Sequence, residues 1–457
     1  MTKDGKVSSH NDDPILRDAF GQQGFIERIA HIIRDCHPPK GIGVNGYWGT
    51  GKTSTLMRIY YHLSGKHPFI EKPDLTMVDA PVPKDIQQQV VPIWFEAWRY
   101  QHESLPIVAL LNEIREQMGL MEKFRNATGK ILGVTLLGSL SAFDEVIKAA
   151  SGGLVKPGLG KIQGIGEKWE AERHMNPLPG QAIKNLLENA VEQALGKNKR
   201  LVIFIDDLDR CTPDAALRLL EGIKVYLNLK NCVIVFGMDQ RQIERALISA
   251  LNLDSEKDPG YSASSQAREY LEKICQDIYH LPQPDKSAKA EYFLQLLREL
   301  DLGAHSDAHI DNLGGVLLEF DCLPANPRKI KALANRSAGL LLEWISIEPP
   351  SGPKVVERRY SVLMAMTIIY CFHRRVYEQL QKNPGYINEV VNWATHEQPE
   401  DLINEPLYFP MKNIVPSIGK SGDLPVNPSD SNVFRLHQLF ARLKSLSLMD
   451  IIPFLNR

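Results

Sequence analysis

Short apolar runs alternate with longer amphipathic stretches along the chain as far as about residue 284. The runs GIGVN (41–45), VPIWFEAW (91–98), LVIFIDD (201–207), NCVIVFGM (231–238) and ICQDIYHL (274–281) have the length and the β-branched and aromatic content of buried strands. The segments between them are long enough to hold crossover helices. Such alternation predicts an α/β fold, a parallel sheet with helices on both faces. Ahead of the first run, Ile15, Phe20, Phe25, Ile26, Ile29 and Ile32 fall at largely helical spacing, and HPPK ends that pattern.

Past Pro284 the strand character stops. AEYFLQLLREL, PRKIKALANRSAGLLLEWI and YSVLMAMTIIYCFHRRVYEQL predict an all-helical second unit, and a stretch rich in Pro, Gly, Ser and Asp separates it from a last helical piece, VFRLHQLFARLKSL. The expected organisation is a flexible tail over 1–13, an α/β domain over 14–284, a helical C-terminal domain over 285–409, and a linker with a terminal helix over 410–457. The α/β domain carries an insertion at about 121–175. Ile131 to Phe143 is its most apolar part. A membrane span needs about 20 consecutive apolar residues, whereas this run contains Thr135, Ser139 and Ser141 and is followed at once by Asp144 and Glu145. It reads as a buried or interfacial helix followed by a flexible loop, and no membrane span is expected.

The 457 residues suggest about three structural units at roughly 150 each, a figure the insertion partly absorbs. The formal charge of −2 leaves no global basic excess of the kind that holds nucleic acid non-specifically. Nucleic acid is therefore not indicated as a partner, and would have to be recognised by a local surface or through another protein. The six cysteines are dispersed singly, which indicates neither a disulfide framework nor a thiolate metal site. The first residues, MTKDGKVSSHNDDP, lack the basic and apolar regions of a secretion signal. A reducing, cytoplasmic setting fits best.

The sharpest motif is Gly46-Tyr47-Trp48-Gly49-Thr50-Gly51-Lys52-Thr53, an instance of GxxxxGK[ST] placed between a strand candidate and the helical pattern TSTLMRIYYHL. Glycines let backbone N–H groups turn inward around phosphate oxygens, and the helix N-terminus adds the positive end of its dipole. Lys52 would reach the β- and γ-phosphates and the Thr53 hydroxyl would ligate Mg²⁺. The second motif, Leu201 to Asp207, is five apolar residues ending in two carboxylates. Asp206 is the metal-side candidate, and Asp207 is a candidate to orient or deprotonate the attacking water. The alternative for both is a solvated acidic turn before a helix capped by Asp209 or Thr212.

GYWGTGKTS, WFEAWRY (Trp94 to Tyr100), LVIFIDDLDRC (Leu201 to Cys211), VIVFGMDQRQI (Val233 to Ile243), YLEKICQDIYHLP and NPRKIKALANR together resemble the KAP family of P-loop NTPases, relatives of the STAND signalling ATPases. The resemblance covers about residues 15 to 345. It implies an additional-strand P-loop fold with strand order 5-1-4-3-2, with phosphates at the C-terminal ends of the first and third strands. It implies ATP and Mg²⁺ as cofactors. It also places Asp239 where such ATPases keep a polar residue that senses the γ-phosphate, although an ordinary helix cap explains Asp239 nearly as well. Three cations are candidates to reach the phosphates: Arg328 as a lid arginine, Arg210 within DDLDR, and Lys273 near the position of a finger used by oligomeric relatives. Surface or ion-pairing roles remain the alternative for each.

Two departures from the family pattern stand out. Many members carry paired membrane helices between the two nucleotide motifs, and here the insertion is too polar to span. Glu96 also stands where relatives more often show Asn. It lies on the strand beside Asp206 and either faces the site or leaves that stretch to packing and pairing by Trp98 and Arg99. His305 and His309 have metal-compatible spacing but lack nearby partner ligands, and the clusters GKNKR and HRR are too short to mark a nucleic-acid surface.

The expected function is a Mg²⁺-dependent ATP-binding and hydrolysing switch that couples nucleotide state to domain rearrangement or to assembly with itself or an effector protein. The resemblance makes bacterial antiphage defence a plausible setting. The alternative is a nucleotide-dependent oligomeric scaffold with little turnover.

Overall fold

The computed structural model describes residues 9–14, 16–69, 89–118, 144–147, 180–195, 199–253, 262–300, 302, 310, 317, 323–347, 353–372, 374–385 and 387–388. These fall into two units, one of 14–18 and 22–282, the other of 1–13, 19–21 and 283–457.

The first unit is built on five parallel strands: β1 (Lys40–Asn45), β2 (Val90–Glu96), β3 (Arg200–Asp206), β4 (Cys232–Met238) and β5 (Asp277–His280). Their order across the sheet is β2-β3-β4-β1-β5, which read from the other edge is the expected 5-1-4-3-2. Helix α1 (Gln23–Asp35) precedes the sheet, and α2 (Lys52–Ser64), α3 (Pro106–Gln117), α4 (Gly180–Leu195), α5 (Pro213–Tyr226), α6 (Gln240–Ala250) and α7 (Ala263–Glu272) lie in the crossovers between strands; together they cover both faces.

Strand alternation sorts the side chains into two cores. Ile42, Val44, Val90, Trp94, Val202, Phe204, Val233 and Val235 pack against Ile26, Ile29 and Ile33 of α1 and Leu56, Ile59 and Leu63 of α2. Ile93, Phe95, Leu201, Ile203, Ile205, Ile234 and Phe236 meet α3 to α7 on the other face. This explains why the runs are apolar almost throughout: a strand covered on both sides has no solvated face to alternate with.

Two elements depart from the sequence pattern. The fifth run, read from Ile274, forms a strand only over Asp277–His280. Ile274 and Cys275 owe their apolar character to burial in the turn after α7, where the Cys275 N–H bonds the Leu271 carbonyl at 2.8 Å. The first helix begins at Gln23, not near residue 15, because Asp18 takes the N–H groups of Gln22 and Gln23 at 2.9 and 2.8 Å and so satisfies donors at the helix start.

The second unit contains α8 (Lys286–Glu299), α9 (Pro327–Ile347), α10 (Pro353–Phe372) and α11 (Arg374–Lys382). Asp285 caps α8 through the Ala288 N–H at 2.7 Å, and Asn326 caps α9 through the Lys329 N–H at 3.1 Å. Of the expected flexible tail, residues 9–13 are described, and they are bound into this unit. The His10 N–H donates to Asn335 at 2.8 Å and Asn335 donates back to the His10 carbonyl at 2.9 Å. Most of the insertion and all of 410–457 lie outside the described residues, as do His305 and His309. Within the insertion, Asp144 pairs with Arg115 of α3 at 2.5 Å, and Val146 and Ile147 join the α3–α7 core. Among the described residues, no helix is long and apolar enough to cross a membrane.

Gly237 shows how closely α2 sits on the sheet. A β-carbon there would come within 2.3 Å of Leu56 Cδ1 and 2.9 Å of Asp206 Oδ1. Gly237→Ala is expected to lift α2 from β4 and to destabilise the protein by about 1–3 kcal/mol, read as a lower denaturant midpoint at unchanged slope.

Candidate nucleotide-binding and catalytic site

The C-terminal ends of β1, β3 and β4 lie side by side in the sheet, and the sequence places a different chemistry at each. After β1 the chain runs into the glycine loop. Gly49 and Gly51 take positive φ, 80° and 94°, a region that costs a side-chain-bearing residue free energy, so these two positions use glycine's freedom. Gly51 is the N-cap of α2, which begins at Lys52. The Gly46 N–H is tied to the Met238 carbonyl of β4 at 3.1 Å, and the Tyr47 carbonyl accepts the Thr50 hydroxyl at 2.6 Å and the Thr50 N–H at 3.2 Å. Tyr47 and Trp48 project from the loop as exposed aromatics, with Arg241 of α6 lying 5.1 Å from the Tyr47 ring centre.

Lys52 is 7% exposed, so its ammonium needs anionic partners. Its Nζ lies 3.1 Å from Asp209 Oδ2, and Asp209 is itself 5% exposed. Nζ also stands 3.5 Å from the Tyr47 carbonyl. Asp209 belongs to a short 3-10 turn, Leu208–Arg210, entered through Asp207 in the left-handed region at φ 58°. Sequence reasoning gave Asp209 only a capping role. Helix α5 is in fact preceded by Thr212, whose side chain makes no capping bond. The signal for Asp209 was the third acid of DDLD, too close to the strand to be assigned by periodicity.

Asp206, the last residue of β3, is 1% exposed and accepts hydrogen bonds from the Thr53 hydroxyl and the Asp207 N–H. Burial, followed by the neighbouring charges of Asp207 and Asp209, raises its pKa. Its Oδ1 is a buried oxygen with no hydrogen-bond donor. A hydroxyl and a partly satisfied carboxylate in contact are hard oxygen donors of the kind Mg²⁺ takes, and Mg²⁺ completes its shell with phosphate oxygens and water rather than a protein cage. Thr53 and Asp206 therefore fit the implied ion. Among the described residues, no group of three or more His, Cys, Asp or Glu side chains could hold a metal ion.

Asp239 follows β4 and caps α6, its side chain accepting the Arg241 N–H at 3.2 Å. Burial raises its pKa, and Lys52 opposes that rise. The rest of the α6 N-terminus is held from neighbouring strand ends: the Asp239 N–H donates to Asp209 at 3.2 Å and the Gln240 N–H to Asn45 of β1 at 2.9 Å. The first three N–H groups at this helix start thus have three different acceptors.

The remaining candidates divide. Asp207 is paired with Arg210 at 3.0 Å. Glu96 ends β2 directly opposite Asp206 in the strand register, shares the sheet face of Trp94 on which α2 packs, and is paired with the exposed Arg99 at 2.5 Å. Burial raises the Glu96 pKa, and the nearby Asp207 adds to the rise. Lys273 stands at the C-terminal cap of α7. Arg328 belongs to the helical unit, at the start of α9, where it pairs with Asp12 at 2.5 Å.

Asp206 permits a test on the protein alone. A carboxyl whose folded-state pKa is raised costs stability once the pH exceeds its unfolded-state value, and the full cost is present above the raised one. Asp206→Asn keeps an acceptor for Thr53 and for the Asp207 N–H but carries no charge. At pH 8 without metal or nucleotide it is expected to stabilise the fold by about 1 kcal/mol, seen as a rise of about 2–4 °C in Tm; a lower Tm would show that the charge is not the dominant cost.

The family description "KAP family P-loop domain" matches residues 22–337, more than half of the chain. No protein of curated function matches it in sequence. Among solved structures, a Walker-type ATPase of Pyrococcus abyssi aligns over 84% of this chain and 83% of its own length, at 13% identity and a TM-score of 0.33. With the P-loop, the parallel sheet and the matched span together, the chain belongs to the KAP family of P-loop NTPases.

Proposed function

We propose that the protein is a Mg²⁺-dependent ATPase that works as a switch, with nucleotide state altering its helical unit or its assembly with itself or an effector protein. The observation that carries this reading is the contact between Thr53 and Asp206 beside the buried Lys52, at the C-terminal ends of the strands where an open parallel sheet binds its ligands. The loop 46–53 would cradle the phosphates through its N–H groups, with Lys52 offsetting their charge. Thr53 and Asp206 would hold the metal, whose chemistry is to neutralise charge on the phosphate oxygens as the terminal P–O bond breaks. Asp207 would orient the attacking water and take its proton, and Asp239, close enough to Lys52 for their charges to interact, would sense the γ-phosphate. Arg328 enters as the lid arginine through its place in the family pattern. The cytoplasm as location and antiphage defence as setting rest on the chain's composition and family alone.

A second reading, a nucleotide-dependent scaffold with little turnover, is favoured by one observation: the candidate base Asp207 is short and already engaged by Arg210. Phosphate release from Mg²⁺-ATP, measured alongside mass photometry in ATP analogue and in ADP, separates the two. Lys52→Ala is expected to lower phosphate release about 10²-fold or more. Nucleotide-driven assembly without phosphate release would favour the scaffold.

Asp207→Asn is expected to leave ATP affinity unchanged and to lower kcat about 10²-fold. Glu96→Gln, compared in the same assay, tests the other carboxylate at the strand ends. If the glutamine variant shows the larger loss, the role passes to Glu96.

A further inference from the structure

The candidate site contains more acid than the motifs require. Asp206, Asp209 and Asp239 share the surroundings of one buried lysine, and only Asp209 is in direct ion-pair contact with it. Asp209 has two further properties. Its Oδ1 is buried without a hydrogen-bond donor, and its Oδ2 also accepts the Asp239 N–H at the start of α6. One carboxylate therefore joins the phosphate-loop lysine to the N-terminus of a helix. A triphosphate drawn to Lys52 competes for the same ammonium, and Asp209, with a side chain only 5% exposed, has little water to take the place of that cation.

We propose that Asp209 is a second nucleotide-sensing residue of this site, beside Asp239: it holds Lys52 until the phosphates take the lysine from it, and its release is passed to the start of α6 through the Asp239 N–H. This rests on the reading of the loop 46–53 as a triphosphate site and names the residue that would make that site a switch. The exchange is one of ion pairs, with no bond made or broken. Lys52 leaves one anion for another, and Asp209, having lost its cation, must turn toward a metal-bound water or solvent. That movement removes the acceptor for the N–H of Asp239, the N-cap of α6. Asn45 and the Asp239 side chain, which hold the next two, stay in place. The response is thereby confined to one end of one helix.

The pairing predicts discrimination between nucleotides. Lys52 would meet the β- and γ-phosphates, so a triphosphate must draw the lysine from Asp209 more fully than a diphosphate, and the pairing weakens ATP more than ADP.

The test is nucleotide binding to the full chain in Mg²⁺, by titration calorimetry with ATP analogue and with ADP, for wild type, Asp209→Asn, Lys52→Ala and the double variant. Asp209→Asn is expected to bind the triphosphate about tenfold more tightly and ADP less than threefold more tightly, because the lysine no longer has to leave an ion pair to meet the phosphates. In the Lys52→Ala background the gain should disappear, since no lysine remains to be freed. Hydrogen exchange at 239–243 should respond to the triphosphate in wild type and not in Asp209→Asn. Unchanged or weaker triphosphate binding by a folded Asp209→Asn, or a gain that persists without Lys52, overturns the proposal. If Asp209→Asn does not fold, Asp209→Glu, which keeps the charge on a longer arm, should retain the wild-type ratio of ATP to ADP affinity, and a changed ratio overturns the proposal. If the wild-type protein binds neither nucleotide, the reading of the loop as a phosphate site fails, and this inference fails with it.

Discussion

A lysine buried to 7% exposure cannot stand without an anion beside it, and the sheet is ordered so that its strand ends supply several. β1 leads into the loop that carries Lys52. β4, its neighbour, is followed by Asp239, and β3, next again, ends at Asp206 with Asp209 one turn beyond. Because crossovers in a parallel sheet return each strand in the same direction, all these ends point one way. The hydrophobic alternation that builds the two cores thus also fixes where charge accumulates. Asp206 reaches the α2 side by the same alternation that buries Phe204 there, which brings its carboxylate to Thr53. The site is a consequence of strand order.

Much of this was legible in the sequence because each signal was redundant. β1 was marked by its own residues and by the glycine loop after it, and β3 by five apolar residues and by the acids that end it. β5 was less legible: Ile274 and Cys275 are as apolar as strand residues, yet they are buried in a turn, and periodicity cannot separate the two kinds of burial over so short a run. The position of Asp209 was not legible at all. It depends on Asp207 adopting a positive φ, which no pattern of apolar and polar residues encodes. The ordered part of the N-terminal segment was hidden for a different reason. Residues 10–13 are polar, and they are bound by hydrogen bonds to Asn335 and Lys331 and by the Asp12–Arg328 pair, contacts between positions remote in sequence.

The cations looked alike in the sequence and differ in the structure. Lys52 is buried and pairs with a buried acid, so losing either partner leaves an uncompensated charge. Arg210 and Arg99 are substantially exposed and pair with acids three residues away in their own turns. Solvent-exposed pairs of that kind are worth about 0–1 kcal/mol, so they can open at little cost. The Asp207 and Glu96 carboxylates, 16% and 23% exposed and paired with exposed arginines, are therefore held less firmly than Asp209, which is 5% exposed and paired with a buried lysine.

The backbone at Asp207 explains why these two kinds of acid lie so close together. A non-glycine residue in the left-handed region costs on the order of 1–3 kcal/mol and persists only where surrounding structure fixes it. Here the Asp207 N–H donates to Asp206, its carbonyl accepts the Arg210 N–H at 3.2 Å, and its side chain pairs with Arg210. Had the chain continued as a strand, Asp209 would have been carried past the loop along the β3 axis. The left-handed residue instead turns it into the 3-10 segment, so that Asp209 returns to within 3.1 Å of Lys52 and 3.2 Å of the Asp239 N–H. The strained residue is what allows one carboxylate to join the lysine that would receive the phosphates to the helix that could report their arrival.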